Sequence, residues 1–269
     1  MNRIDRKFIE LKKGGEKAFI GFITAGDPNF KTSLKIANAV IEGGVDILEL
    51  GLPFSDPIAD GSVIQKAGMR SLDSGMNTDK FFIFANELRK NHTVPLICMT
   101  YYNLLLHRGL EEFASDCRHN GIDGLIIPDL PVEESKPLLK ACRKNKIHLI
   151  FLVAPTTTKR RLKAILKVSK GFVYVVSVRG ITGVRKELSE EVKPLIERIR
   201  KVNSKIPLAV GFGVSNPHHV KSVAKAGADA AIVGSAIIKV VEENLGNKKR
   251  MLFKLQYFAR ELKNATPEK

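Results

Sequence analysis

The chain has 269 residues, 44% hydrophobic and 27% charged, which is the balance of an ordinary globular protein long enough to bury a sizeable core and argues against disorder. Its net charge of +16, from 44 basic and 28 acidic residues, raises the question of nucleic acid, but the basic residues are spread along helix-like segments and no nucleic-acid motif accompanies them. A solvated face, or attraction for phosphorylated small molecules, suits such a charge better.

The first segment, MNRIDRKFIELKKGGEK (1-17), is polar and lacks the apolar core of a signal peptide. No later stretch approaches the ~18 apolar residues of a membrane span, so the expectation is a cytoplasmic protein without membrane attachment. Cys98, Cys117 and Cys142 match no zinc or redox spacing and read as free thiols. Eight short apolar, β-rich runs then follow one another: 18-24, 45-51, 94-101, 123-129, 147-154, 172-177, 207-213 and 230-235. Between them lie helix-length segments with ~3.6-residue apolar spacing, such as Leu34-Ala37-Val40-Ile41 and Phe81-Phe84-Ala85-Leu88. In KRRLKAILKVSK (159-170), Leu162, Ile165, Leu166 and Val168 alternate with basic residues as on an amphipathic surface helix. Several segments end in glycine before the next run, in EGGVD, HNGID and KAGAD.

Strand and helix in alternation imply parallel strands. Eight such units predict an α/β fold, a (β/α)8 TIM barrel, as a single domain over 1-269 with a fraying tail at 264-269. A doubly wound open sheet is the runner-up, but its glycine-rich turn should follow the first strand, where TAGDPNF stands instead. In a barrel, polar residues at the C-terminal ends of strands are candidates for chemistry, and those at the N-terminal ends are scaffold.

Three acids crowd LELGLPFSDPIADG (48-61). Glu49 shares a strand face with Ile47 and points to the crowded barrel mouth. There it is either a buried acid with a raised pKa or a strand-end Glu tied to a neighbouring Lys. Asp60 precedes Gly61 and a helix, where an N-cap role is open to it, and Asp56 in S-D-P is a natural turn residue. Position alone does not rank them. Further along, SVRGITGVRKE (177-187) suits either a mobile lid or a plain exposed loop. The seventh and eighth runs end VGFGVS (210-215) and IVGSAIIK (232-239), the latter with a helix starting after Ser235. Glycine turns at these two strands, with backbone N–H groups at a helix start, predict a phosphate site.

Taken together, FITAGDP (22-28), LELGLPFSDPIADG (48-61), MTYYN (99-103), PDLPVEES (128-135), GITG (180-183), VGFGVS (210-215) and VGSAIIK (233-239) resemble the tryptophan synthase α subunit over essentially the whole chain. The resemblance implies retro-aldol cleavage of indole-3-glycerol phosphate to indole and glyceraldehyde 3-phosphate, with no metal and no organic cofactor. It implies Glu49 as catalytic acid/base, Asp60 as second catalytic carboxylate and Tyr174 beside the reacting centre. Phe22, Tyr101 and Phe212 would wall the indole; Gly183, Gly213, Gly234 and Ser235 would cradle the phosphate; Thr182 would help order Asp60 on lid closure. A pyridoxal-phosphate-dependent β subunit is the implied partner, in an α2β2 heterotetramer, with Pro53, Phe54, Asp56 and Asn103 on the surface that faces it.

Two positions depart from the family pattern: Ser62 stands where ADGP usually continues, and Leu104 where many members have YYNP. Both fall in loops assigned to the partner face rather than to the proton chemistry. The alternative reading is a phosphate-binding barrel kept mainly as an allosteric partner of the β subunit, with little lyase activity. The paired carboxylates weigh against it, because a regulatory shell need not keep both.

Overall fold

The computed structural model describes residues 1–176, 192–211 and 213–266. Among the described residues nine short strands form one sheet: β1 (Ala18–Thr24), β2 (Ile47–Gly51), β3 (Leu96–Met99), β4 (Gly124–Ile126), β5 (His148–Ile150), β6 (Leu152–Val153), β7 (Val173–Val176), β8 (Leu208–Gly211) and β9 (Ala230–Val233). All pairings are parallel, in the order β5-β4-β3-β2-β1-β9-β8-β7-β6. The two outermost members of that order are one run of chain interrupted only at Phe151. Its carbonyl accepts the Tyr174 N–H at 3.0 Å, so the sheet closes on itself through 148–153. The fifth predicted strand is therefore two pieces, one bonded to each neighbour. The other seven predicted runs each contain one strand, and the alternation with helices is that of a (β/α)8 barrel.

Strand alternation sorts the apolar residues into two cores. Ile20, Ile47, Ile97, Ile126, Ile150 and Ile232 fill the barrel interior, whereas Phe19, Leu48, Leu50, Leu96 and Leu125 pack outward under the helices. Each such side chain, fully buried, contributes about 1.5–3 kcal/mol. The polar first segment also joins the interior. Asn2 caps helix α1 (Arg3–Gly14) by accepting the Ile4 N–H, and Ile4, Phe8 and Leu11 plug the N-terminal end of the barrel, with the Phe8 and Phe172 rings 5.8 Å apart. Single-residue composition hid this helix, because its charged residues outnumber its three buried ones.

The outer helices carry the predicted faces. Helix α2 (Phe30–Glu42) buries Ile36, Ala37 and Val40, and α4 (Thr78–Asn91) buries Phe81, Phe84, Ala85 and Leu88. Helix α8 (Lys159–Val168) buries Leu162, Ile165 and Leu166 beneath its basic surface. The remaining helices among the described residues are α3 (Ser62–Asp73), α5 (Tyr102–Arg108), α6 (Leu110–His119), α7 (Lys136–Lys144), α9 (Val192–Arg200), α10 (Pro217–Lys225), α11 (Ser235–Glu242) and α12 (Lys248–Asn264). Fraying does not begin at 264: Asn264 ends α12, Ala265 and Thr266 are buried, and the Thr266 hydroxyl donates to Lys263 O at 2.7 Å. Among the described residues no helix is long and apolar enough to cross a membrane.

The three glycine motifs EGGVD, HNGID and KAGAD share a structural task. In each, a glycine with positive φ (Gly44, Gly121, Gly227) turns the chain out of a helix. The aspartate that follows accepts an N–H at the start of the adjacent strand: Asp46 from Phe19 at 2.8 Å, Asp123 from Leu96 at 3.1 Å and Asp229 from Leu208 at 2.8 Å. Each is also ion-paired, Asp46 to Lys263, Asp123 to Arg3 and Arg89, and Asp229 to Arg200. These clamps set register at the end of the barrel remote from the site. Replacing Asp123 by Ala strands two guanidinium groups, one of them three-quarters or more buried in side-chain area (Arg89, 15% exposed), and is expected to cost about 3 kcal/mol in guanidinium chloride unfolding while leaving the turnover of the folded protein unchanged.

Candidate active site

Glu49 lies inside the barrel on β2, in register with Phe22 on β1 and Ile97 on β3. It is 1% exposed, and among the described residues its Oε2 has no hydrogen-bond partner. No ion pair reaches it among those residues, so no described lysine is tied to it. Burial, and secondly the charge of Asp60, push its pKa from 4.5 to about 8. Glu49 thus holds a proton at neutral pH, on a carboxyl free to deliver it.

Asp60 sits in the loop between β2 and α3. Gly61, not Asp60, is the N-cap of α3, and that cap uses no side-chain hydrogen bond. The Asp60 main chain is anchored instead, its N–H to Pro57 O at 3.1 Å and its carbonyl from Gln65 Nε2 at 2.9 Å. The Tyr101 hydroxyl accepts the Ala59 N–H at 3.1 Å and hydrogen-bonds to the Asp60 carboxylate. Burial raises Asp60 to about 6 and Tyr101 opposes the rise, so Asp60 is mostly ionised at neutral pH. Two carboxyl groups whose environments separate them into one acid and one anion form an acid–base pair.

Tyr174, on β7, is buried near both acids; burial and then the charges of Glu49 and Asp60 hold its hydroxyl protonated. Its place depends on Gly211 of β8, since a Cβ there would overlap the Tyr174 hydroxyl. Gly51 does the same for Phe22, whose ring would lie 2.7 Å from a Cβ at that position. Neither glycine stood out in the sequence, because a close approach across strands leaves no local signal. Phe22, Asp60 and Tyr101 line one cleft with Ile64, Met99 and Thr100.

On the side of β8 and β9, Gly213 is exposed with φ +81° and nothing within 4 Å of a Cβ added to it. Gly234 is the N-cap of α11, and the helix starts at Ser235 itself rather than after it, with Ser235 exposed in the first turn. A residue the sequence reading passed over supports this region: His219 of α10 is 1% exposed, and its Nδ1 is 2.9 Å from Gly213 O. Thr182, Gly183 and Phe212 lie outside the described residues. Gly234 is more closely packed than Gly213, a Cβ there lying 3.4 Å from Phe22; backbone N–H groups at the start of α11, together with the open Gly213, suit an anion.

The structure separates the four residues assigned to a partner face. Asp56 and Asn103 are exposed, and Asn103 lies in α5 rather than in a loop. Pro53 is buried and lines the cleft, and Phe54 stacks on Tyr101 with ring centroids 5.4 Å apart. Ile58, two residues from Asp56, is 83% exposed and was not singled out in the sequence. Ser62 opens α3 and Leu104 is half-buried in α5.

The elements that carry the site are tied together behind it. Arg70 of α3 makes a two-pronged ion pair with Asp27 in the loop after β1, at 2.7 and 2.9 Å, and lies 3.7 Å from Glu242 of α11. The helix following Asp60, the strand carrying Phe22 and the helix starting at Ser235 are thereby joined.

Fold and site together define a barrel enzyme with two carboxyl groups in unlike charge states, on β2 and in the loop after it. Residues 8–267 match the tryptophan synthase alpha chain family. The tryptophan synthase alpha chain of Methanocaldococcus jannaschii is 52% identical over 244 residues, 90% of this chain and 86% of that protein. The solved tryptophan synthase subunit alpha of Legionella pneumophila superposes with a TM-score of 0.90 at 35% identity, covering 98% of each chain. A chain in a structure of the tryptophan synthase α2β2 complex of Pyrococcus furiosus does so with a TM-score of 0.85 at 37% identity, over 92% of this chain and 98% of that one. This chain belongs to the tryptophan synthase alpha chain family.

The raised pKa of Glu49 has a stability consequence. The folded form binds a proton between about pH 4.5 and 8 that the unfolded form has released, so stability from this group is present below that window and is lost as pH rises through it. Glu49→Gln removes the dependence. Urea titrations are expected to show the variant gaining on the parent as pH goes from 5 to 8, by up to a few kcal/mol; parallel curves would mean that Glu49 is ionised throughout.

Proposed function

We propose that this chain cleaves indole-3-glycerol phosphate to indole and glyceraldehyde 3-phosphate, as the single-domain α subunit of a cytoplasmic tryptophan synthase. The observation that carries this reading is the buried Glu49 carboxyl, protonated at neutral pH with an oxygen that no described residue engages, beside an ionised Asp60. Breaking the bond between indole C3 and the glycerol chain needs a proton delivered to C3. It also needs a proton removed from the adjacent side-chain hydroxyl, whose carbon becomes the aldehyde. The bonding electrons pass to the ring and restore indole. Glu49 gives the first proton and takes the second, ending as it began.

While C3 is protonated, positive charge resides on the ring nitrogen. Asp60 accepts the N–H bond there and stabilises that charge, an effect of the kind that costs ~10²–10³-fold when lost. Phe22 and Tyr101 supply the apolar walls with Phe212, and Tyr174 borders the reacting centre. Gly213, Gly234 and Ser235, with Gly183, receive the phosphate, and Thr182 helps order Asp60. No residue in this scheme calls for a metal or organic cofactor.

A β subunit is the proposed partner, in an α2β2 assembly. What supports this face is that Asp56 and Asn103 are exposed, as is the neighbouring Ile58. Pro53 and Phe54 act from beneath, connecting that face to Tyr101 and so to Asp60. An allosteric shell with little activity is the weaker reading, because a buried carboxyl without a partner is costly to a fold that makes no use of it.

Glu49→Gln is expected to abolish indole release, a loss of at least ~10²-fold, while glycerol 3-phosphate still binds. Turnover retained within about tenfold would remove Glu49 from the proton path. Asp60→Asn is expected to slow kcat with a smaller change in KM; a pure rise in KM would make it a binding residue only. Indole release from indole-3-glycerol phosphate, followed with and without a β subunit, tests the whole reading: a strong rise with the partner is expected, and no indole in either case would favour the allosteric shell.

A further inference from the structure

Thr24 ends β1 and is 4% exposed, yet among the described residues its hydroxyl makes no hydrogen bond. Nearby hydroxyls are satisfied: Thr100 donates to Leu52 O at 3.1 Å and Ser71 to Ala25 O at 2.6 Å. Along β1, Ala18, Ile20 and Phe22 belong to the barrel interior, and Thr24 follows on that face at its rim. It lines the same cleft as Phe22, Asp60 and Tyr101, and its register partner Gly51 has no side chain to intervene. A valine would fill the same space without the penalty of a buried, unbonded hydroxyl. A threonine here makes sense if its partner arrives with the ligand.

An ionised carboxylate has two oxygens and about four acceptor sites. In the reaction proposed above, the indole N–H occupies one and the Tyr101 hydroxyl another. We propose that Thr24 is a positioning residue whose hydroxyl donates to the Asp60 carboxylate when substrate fills the cleft, holding it ionised and aimed at the ring nitrogen. This rests on the reading of Asp60 as charge stabiliser. Among the described residues, the titratable groups facing Asp60 are Glu49 from β2, Tyr101 from the end of β3 and Tyr174 from β7; Thr24 would be a neutral donor among acids and phenols, with no titration of its own.

The test compares Thr24→Val and Thr24→Ser with the parent in thermal unfolding, glycerol 3-phosphate binding and pH profiles of indole release. The expected result is that Thr24→Val melts no lower than the parent and binds glycerol 3-phosphate equally well, but loses on the order of tenfold in kcat. Losing a donor to the ionised form raises the pKa of Asp60 in the substrate complex. The acid limb of kcat therefore moves to higher pH, whereas that of kcat/KM, which reports the free enzyme, stays in place. Thr24→Ser restores both. Thr24→Val with unchanged kcat and an unmoved limb would overturn the proposal while leaving the lyase reading intact. A drop in melting temperature that Thr24→Ser repairs would also overturn it, by placing the hydroxyl in the fold of the free protein. A parent that releases no indole at any pH would overturn the lyase reading, and this inference with it.

Discussion

Closure of the parallel sheet through 148–153 is the constraint from which the rest follows. Once the Phe151 carbonyl bonds to Tyr174 N–H and the ladder has no free edge there, each strand residue is committed to the interior or to the helix layer. Side-chain parity then leaves no choice for Phe22, Thr24, Glu49 and Tyr174: they share the inside of the barrel, stacked above the isoleucine layer. A register slip of one residue on β2 would send Glu49 out under the helices and Leu48 or Leu50 into the mouth. The aspartate clamps Asp46, Asp123 and Asp229 hold the strand starts against such slips.

Placing a carboxyl in that interior is unfavourable for the fold, and the unfavourable term is what keeps Glu49 protonated. Desolvation keeps the proton on, and the nearby anion of Asp60 adds to the effect. Asp60 escapes the same fate because it lies on a loop, partly exposed, with the Tyr101 hydroxyl on its carboxylate. Rigid strand and anchored loop therefore yield two carboxyl groups of different charge a short distance along one stretch of chain. Close packing around them needs glycine where side chains cross, at Gly51 beneath Phe22 and Gly211 beneath Tyr174.

The two ends of the barrel divide the work. At the N-terminal end, α1 plugs the interior and ion pairs lock strand starts, none of which requires motion. At the C-terminal end, the Asp27–Arg70–Glu242 cluster joins the three elements that carry Asp60, Phe22 and Ser235 from behind, leaving their tips to meet the ligand. The exposed Asp56 and Ile58 stand on the same loop as Asp60, so a contact on that face bears directly on the position of a proposed catalytic group.

Much of this was legible in the sequence. Period-two and period-3.6 apolar patterns are local, so eight strands and the intervening helices could be read from spacing. The aspartates of EGGVD, HNGID and KAGAD were visible as turn motifs, but their bond to the next strand's N–H was not. Motif resemblance named Glu49, Asp60 and the glycines, and left open whether Glu49 met a lysine and whether Asp60 capped a helix. The sequence by itself determined the alternating elements, the barrel class and the family, because those depend on residue type and order along the chain. Only the tertiary structure decided that Glu49 is buried and protonated, that Gly61 rather than Asp60 caps α3, that Pro53 is buried, that α1 plugs the barrel and that the Thr24 hydroxyl has no partner among the described residues. Those outcomes depend on desolvation and on contacts between residues tens to hundreds of positions apart, which no local pattern encodes.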